Sequence, residues 1–288
     1  MKFLKSLRLV VLLFVLLSHA RAEDVLFIGN SFTYTFRVPL LFEAVAKSKG
    51  KDAHTDMLTK GGIGWAYHVN KITEKTDAIL KSKPWNFVAM QDYSTNATHV
   101  GFGTGGFFKY GELLYDKIGQ LSPTATVILY ETWSFPRAIE GYVPKPKPAG
   151  KTDEDEDAKK GKDGKDGKEP AAKAFKTDAE MYGEIHGNYL KLYEQLKAKD
   201  PKRKVLYAPV GTAFDACRKA HPEIPLFGPD DKHPSFAGSY LSACVFYAAI
   251  YNESPVGAAA PTQKNVPPLN PAWLKPLQEI AASVVLKK

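Results

Sequence analysis

Apolar residues follow two rhythms along this chain. Short unbroken runs, Val25-Leu26-Phe27-Ile28 the first of them, stop at glycine or polar turn residues, as strands buried on both faces do. Thr55–Leu58, Asn86–Met90, Thr126–Tyr130 and Val205–Ala208 repeat the pattern. Between them lie segments with apolar residues at helical spacing: Pro39–Lys49, closed by Gly50, then Trp65–Ser82, Phe107–Gln120, Asp178–Lys199 and Ser235–Tyr251. Strands alternating with helices predict parallel pairing through right-handed crossovers. The expected fold is α/β, a three-layer α/β/α sandwich with a mostly parallel, flavodoxin-like sheet. In such sheets ligands bind beyond the carboxyl ends of the strands, so chemistry is sought in the residues just after each strand.

Two segments fall outside that rhythm. Lys2, Lys5 and Arg8 precede the apolar run Leu9–Leu17, and Ala20-Arg21-Ala22 supplies a small-x-small cleavage site. The run is shorter than the ~20 residues a spanning helix needs, so residues 1–22 are expected to be a signal peptide cleaved near Ala22. The mature chain, 23–288, is then periplasmic or secreted, without stable membrane insertion. From 144 to 176 the chain is almost entirely Lys, Asp, Glu, Gly, Pro and Ala, and includes the acidic run Asp153–Asp157. With so little apolar material to offset ordering entropy, it is expected to be a disordered charged insertion in a single domain.

Charge changes the picture little. Residues 1–22 carry four basic side chains and no acidic one, so the net charge of +8 falls to +4 in the mature chain. That is too mild for a nucleic-acid partner. Cys217 and Cys244 could join in an exported protein, or each could be a buried free thiol.

The sharpest chemical signal follows the first strand, where Gly29-Asn30-Ser31-Phe32-Thr33 sets a serine at the carboxyl edge of the sheet. A serine there can serve as nucleophile if a base reaches it, or simply cap a turn or helix. The second signal is Asp230-Asp231-Lys232-His233-Pro234-Ser235, just before the last apolar helix. A carboxylate three residues before a histidine in a tight turn can fold back on one ring nitrogen and leave the other free as a base. That spacing selects Asp230 over the adjacent Asp231. Ser235 is at the same time a helix-capping residue.

With both blocks in this order and context, the sequence resembles the SGNH/GDSL hydrolases from Val25 to Tyr251. The Gly-Asn-Ser start and the stretch His233–Leu241 look like an exported bacterial branch of that superfamily. The resemblance implies a serine esterase that needs no cofactor or metal, with Ser31 as nucleophile, His233 as base and Asp230 as its orienting partner. It further implies an oxyanion hole formed by the backbone N–H groups of Ser31 and of a glycine in the second block, here Gly62 within Lys60-Gly61-Gly62-Ile63-Gly64. Those glycines also suit a tight turn. The third block departs from the family's Gly-x-Asn-Asp and reads Gln91-Asp92-Tyr93-Ser94. Gln91 keeps the amide chemistry and is the expected third donor, whereas strict alignment puts Tyr93 at the asparagine position.

The aromatic residues Trp65, Tyr93, Tyr130 and Trp133 fall at or past strand ends, where Trp65, Tyr93 and Trp133 could stack on sugar faces or simply pack. Gly101-Phe102-Gly103-Thr104-Gly105-Gly106 mimics a dinucleotide fingerprint but lies well past the strand that should precede it. No metal-ligating histidine or cysteine pattern is present, and no G-x-S-x-G elbow surrounds Ser31. The expected activity is hydrolysis of short-chain esters, O-acetyl groups on carbohydrate above all, with a small-molecule or glycan ester as substrate. The alternatives are a non-catalytic glycan-binding protein on the same fold and an O-acyltransferase using the same residues.

Overall fold

The structure, a computed structural model, describes residues 22–100, 104–136 and 175–286. The expected signal peptide up to Arg21, most of the charged insertion and the start of the glycine-rich string lie outside the described residues.

Five strands, β1 (Glu23–Gly29), β2 (Ala53–Thr59), β3 (Phe87–Met90), β4 (Thr126–Tyr130) and β5 (Val205–Ala208), form one sheet in the order β2-β1-β3-β4-β5. Every pairing is parallel. Register aligns Ile28 with Leu58 on one side and Met90 on the other, and Met90 with Leu129. The carboxyl ends of the inner strands therefore finish level, and the loops that follow converge on one edge. Val25 to Ile28, Val88 to Met90 and Val127 to Tyr130 are fully buried, as the unbroken apolar runs require.

Among the described residues the longer helices are α2 (Val38–Ser48), α3 (Trp65–Asn70), α4 (Thr73–Lys81), α5 (Thr104–Leu121), α6 (Asp178–Lys199), α7 (Val210–Ala220), α8 (Phe236–Tyr251) and α9 (Pro271–Val285); a short α1 (Ser31–Tyr34) follows β1. Helices α2, α7, α8 and α9 pack on one another, as do α3, α4, α5 and α6, and the two groups cover the sheet as a three-layer α/β/α sandwich. Helix α8 is buried continuously from Phe236 to Ala248, so it is apolar all round. No helix among the described residues is long and apolar enough to cross a membrane.

The helix expected over Trp65–Ser82 is two helices. The Thr76 hydroxyl donates to the His68 carbonyl (2.9 Å), while the Ile72 N–H reaches back to Tyr67 (3.1 Å), so the helical ladder breaks at Lys71-Ile72. The expected insertion also ends early. Phe175 is 3% exposed and sets its ring edge-on to His99, and Lys176 N–H bonds the Glu180 carboxylate, so both belong to the fold. Helix α9 is masked in the sequence by Pro271 and Pro276; Asn270 starts it by accepting from Ala272 N–H (3.0 Å).

Candidate functional site

The nucleophile candidate is placed by three polar anchors behind it. Asn30 caps α1, its Oδ1 accepting from Phe32 N–H (3.0 Å), and its Nδ2 donates to the Ile63 carbonyl (2.7 Å) in the loop after β2. Its backbone N–H donates to Gln91 Oε1 (3.0 Å). The loops after β1, β2 and β3 are thus tied together around Ser31. Gly29 is required by this closeness: a Cβ there would stand 2.6 Å from both Gln91 Oε1 and Thr33 Oγ1. The carbonyl of Gly29 in turn accepts from His68 Nε2 (3.2 Å). Burial pushes the His68 ring down to about 4, against the pull of that bond, so it is neutral at pH 7.

The base candidate sits on a pinned turn before α8. Gly228 N–H bonds the His233 carbonyl (2.8 Å), and Ser235 N–H bonds the Leu226 carbonyl (2.8 Å). Asp230 Oδ1 accepts from the backbone N–H of His233 (3.0 Å) and of Lys232 (3.2 Å), while Oδ2 accepts from His233 Nδ1–H at 2.5 Å. Partial burial raises the Asp230 carboxyl, but the His233 ring, the two N–H groups and the imidazole charge together hold it below its usual range. Asp231 turns outward, exposed and left-handed at φ 53°. With Nδ1–H committed to Asp230, His233 Nε2 is the acceptor, and the Ser31 hydroxyl donates to it at 2.8 Å. The structure therefore brings Ser31, His233 and Asp230 into one chain of hydrogen bonds. Such a chain can take the serine proton during attack on a carbonyl and hold the imidazolium that results.

The cleft above this chain has a volume of about 40 Å³ and is lined by Asn30, Ser31, Phe32, Gly62, Tyr93, Ser94, Lys232 and His233. Gly62 adopts φ 70°, a left-handed conformation that favours glycine. Its loop is held by Asp92, whose Oδ1 accepts from Trp65 N–H (2.8 Å) and from the Asn96 amide (3.1 Å). Burial pushes the Asp92 carboxyl up to about 6, opposed by the N–H groups of Trp65 and Tyr93 and by Asn96. Lys232 Nζ lies 3.5 Å from the Tyr93 hydroxyl and 5.1 Å from the centre of its ring. A larger depression of about 520 Å³ lies near the ends of α5 and α6, lined among others by Asp116, Lys199 and Arg203, remote from this edge.

Three expectations are corrected. Gln91 is fully buried and does not line the cleft; its Oε1 accepts from Asn30 N–H and from the Thr33 hydroxyl (3.0 Å), and its Nε2 donates to the Asp92 carbonyl. An amide held by the scaffold and buried away from the cleft is not placed to meet an oxyanion. Trp65 is also fully buried, stacked on Phe107 (5.1 Å) and edge-on to Tyr189 (6.3 Å), and Trp133 is sandwiched between Phe32 (4.2 Å) and Phe214 (4.4 Å). Neither indole can stack on a sugar. Trp133 acts behind the cleft: its Nε1–H donates to the Lys232 carbonyl (3.1 Å), and its neighbour Phe32 meets the His233 ring edge-on. Tyr93 remains at the cleft, half-buried. Asn30, Ser94 and Lys232 are cleft residues that the motif reading left without roles, although each stands within a block it singled out.

A second histidine and carboxylate pair stands past the ends of β4 and β5. Glu131, fully buried, accepts from His186 Nδ1 (2.8 Å), the Tyr207 hydroxyl (2.8 Å), Thr212 N–H (2.7 Å) and the Thr212 hydroxyl (3.0 Å). The Glu131 hydrogen bond raises the His186 pKa, partial burial opposes it, and the charges of Glu131 and Asp215 add to the rise. Cys217 and Cys244 are both free and buried; burial pushes their thiols up to about 11 and about 12. Among the described residues no cluster of three His, Cys, Asp or Glu side chains could hold a metal.

No family profile and no curated protein sequence matches the chain. Solved structures do. A DUF4886 family protein from Bacteroides uniformis superposes with a TM-score of 0.63 at 15% identity, over 92% of this chain and 95% of that one. A candidate SGNH hydrolase from Slackia heliotrinireducens gives 0.51 at 20% identity, over 80% of this chain and 99% of its own. A candidate GDSL-like lipase from Parabacteroides merdae gives 0.51 at 14% identity, over 78% and 94%. The fold is shared with SGNH and GDSL proteins.

Proposed function

We infer that the chain is an exported serine esterase that removes short acyl groups, O-acetyl groups on carbohydrate above all, through an acyl-serine intermediate. The observation that carries this reading is the continuous path from Ser31 Oγ through His233 to Asp230, with contacts of 2.8 and 2.5 Å, opening into a cleft at the carboxyl edge of the sheet. Ser31 Oγ attacks the ester carbonyl carbon as its proton passes to His233 Nε2. The tetrahedral oxyanion is met by the N–H groups of Ser31 and Gly62. Collapse expels the alcohol, which takes the proton from the imidazolium, and leaves acyl-Ser31. A water molecule then gives its proton to His233 and attacks the acyl carbon, and Ser31 departs with that proton as the free acid is released. Asp230, kept ionised by its three hydrogen bonds and the charge of the ring, steadies the imidazolium in both halves.

Cleft size supports a small acyl group: about 40 Å³ accommodates about three water-sized groups. Tyr93 at the rim is the aromatic surface left for a sugar ring once Trp65 and Trp133 are assigned to packing. Export rests on the basic start, apolar run and Ala20-Arg21-Ala22 of the sequence. The test is turnover of p-nitrophenyl acetate, butyrate and octanoate and of acetylated xylan by the purified mature chain, with labelling by a fluorophosphonate. The expected result is acetate release, rates that fall with acyl length, and labelling at Ser31. The absence of both turnover and labelling would refute the esterase.

A further inference from the structure

A buried hydroxyl normally finds a partner, because leaving it without one forfeits the hydrogen bonds it had in water. Several buried hydroxyls among the described residues obey that rule, while those of Thr132, Tyr115 and Tyr189 lack a partner but do not line the cleft. Thr76 donates to the His68 carbonyl, Thr98 to Thr95 (2.7 Å), Ser122 to Leu80 (2.5 Å) and Ser242 to Gly238 (3.0 Å). Ser94 does not. It is 2% exposed, its Oγ has no hydrogen-bond partner in the protein, and it lines the same cleft as Ser31, Gly62 and His233.

Its position is held firmly. Ser94 stands in the loop after β3, the strand next to β1, which ends just before Ser31. On one side Gln91 is tied to Asn30 and Thr33; on the other, Asn96 N–H bonds the Tyr93 carbonyl (3.1 Å) and the Asn96 amide bonds Asp92. A donor so placed needs little reorganisation when charge develops nearby, the condition under which hydrogen bonds contribute most to catalysis. Of the two other groups considered in this block, Gln91 Nε2 is bonded to the Asp92 carbonyl away from the cleft, while the Tyr93 oxygen accepts from the Lys232 ammonium and keeps its own proton, so Tyr93 is the competing donor.

We propose that the Ser94 hydroxyl is the third donor to the oxyanion of the tetrahedral intermediate, completing the set with the N–H groups of Ser31 and Gly62. The proposal rests on the esterase reading above. A hydroxyl replaces the amide usual at this block. Because it is not consumed by the fold, removing it should weaken catalysis without weakening the protein.

Ser94→Ala, measured on p-nitrophenyl acetate beside the wild type, is expected to lower kcat by roughly a hundredfold with little change in KM. Fluorophosphonate labelling of Ser31 should slow in parallel, since that adduct presents an oxygen to the same donors. The thermal midpoint should hold or rise, because no protein partner loses a bond. Ser94→Cys, which keeps a weak donor, should fall between the two in rate and also guards against a packing fault in the alanine variant. Full activity in Ser94→Ala overturns the proposal, as does a lowered thermal midpoint with unchanged labelling, which marks a structural hydroxyl. If Tyr93→Phe loses kcat and Ser94→Ala does not, the donor is Tyr93. A wild type that neither turns over esters nor takes the label overturns the esterase itself and this role with it.

Discussion

His233 and His186, both past the carboxyl edge of the sheet, are each held by a carboxylate, yet only His233 has a serine hydroxyl at its other ring nitrogen. Asp230 lies three residues before His233 on an exposed turn, with side-chain exposures of 38% and 36%, and the ring nitrogen opposite Asp230 faces the Ser31 hydroxyl. Glu131 is fully buried and joins β4 to α6, β5 and α7 through His186, Tyr207 and Thr212. His186 uses the same nitrogen, Nδ1, toward both Glu131 and the Thr212 hydroxyl (3.2 Å), and its ring stacks on Tyr182 (5.4 Å). A histidine held by a carboxylate is therefore not in itself a catalytic unit. What separates the two is the serine hydroxyl facing the second nitrogen of His233, since the side chains of His186 and His233 are similarly exposed, at 32% and 36%.

The largest effects should fall on one pair alone. Ser31→Ala and His233→Ala should each lower kcat by about 10⁴-fold or more, and the double variant should be no worse, because residues acting as one unit are not additive. Glu131→Gln and His186→Ala should leave ester turnover within a few-fold of the wild type; a loss comparable to that of His233→Ala would erase the contrast. Next, Asp230→Asn should cost roughly 10³ to 10⁴ in kcat by favouring the wrong tautomer, while Asp231→Asn stays near wild type. A larger loss at Asp231 would move the partner role by one residue.

Stability should show the reverse ranking. Glu131→Gln turns an acceptor used by four donors into a group that itself donates, and should lower unfolding free energy by about 3 kcal/mol in urea titrations. Because the folded-state pKa of His186 is raised, the stability it contributes is fully present below its unfolded value of about 6.5 and is lost as pH rises through the folded value. His186→Ala should remove that decline, and an unchanged pH profile would show that the pair is not coupled to folding.

The smallest effect is a near-cancellation beneath the cleft. His68, lowered to about 4, makes the fold gain stability as pH rises from about 4 to 6.5. Asp92, raised to about 6, makes it lose stability as pH rises from about 4 to 6. The wild type should therefore be nearly flat across that window where these groups are concerned. Asp92→Asn keeps an acceptor for Trp65 and Asn96 and removes the charge, so its stability should climb with pH by up to about 3 kcal/mol. A flat profile in that variant would place the His68 titration elsewhere.

Strands β4 and β5 and helix α6 agree with the apolar pattern to the residue, since each is set by unbroken or periodic burial within its own segment. The break between α3 and α4 was not legible, because it depends on a side-chain hydroxyl competing for one carbonyl. Nor was the burial of Phe175, at the end of a charged stretch but against His99. The site divides the same way. Asp230 was distinguishable from Asp231 because a three-residue span leaves one carboxylate able to fold back on the ring.

The parallel α/β order, the serine after the first strand and the Asp-x-x-His turn were therefore legible in the chain, as features whose physics is complete within a few residues. Tertiary structure alone decided how the remaining polar and aromatic groups are used. Gln91 could have faced a substrate, but Asn30 and Thr33, some sixty positions away, claim its oxygen. Trp133 could have lined a sugar site, but Phe32 and Phe214 enclose it and Lys232 takes its N–H. Ser94 could have capped a turn, but the fold leaves its hydroxyl unclaimed in a residue that lines the cleft with Ser31 and His233. Each outcome is a competition among groups distant in the chain, settled by which of them packing brings within hydrogen-bond reach.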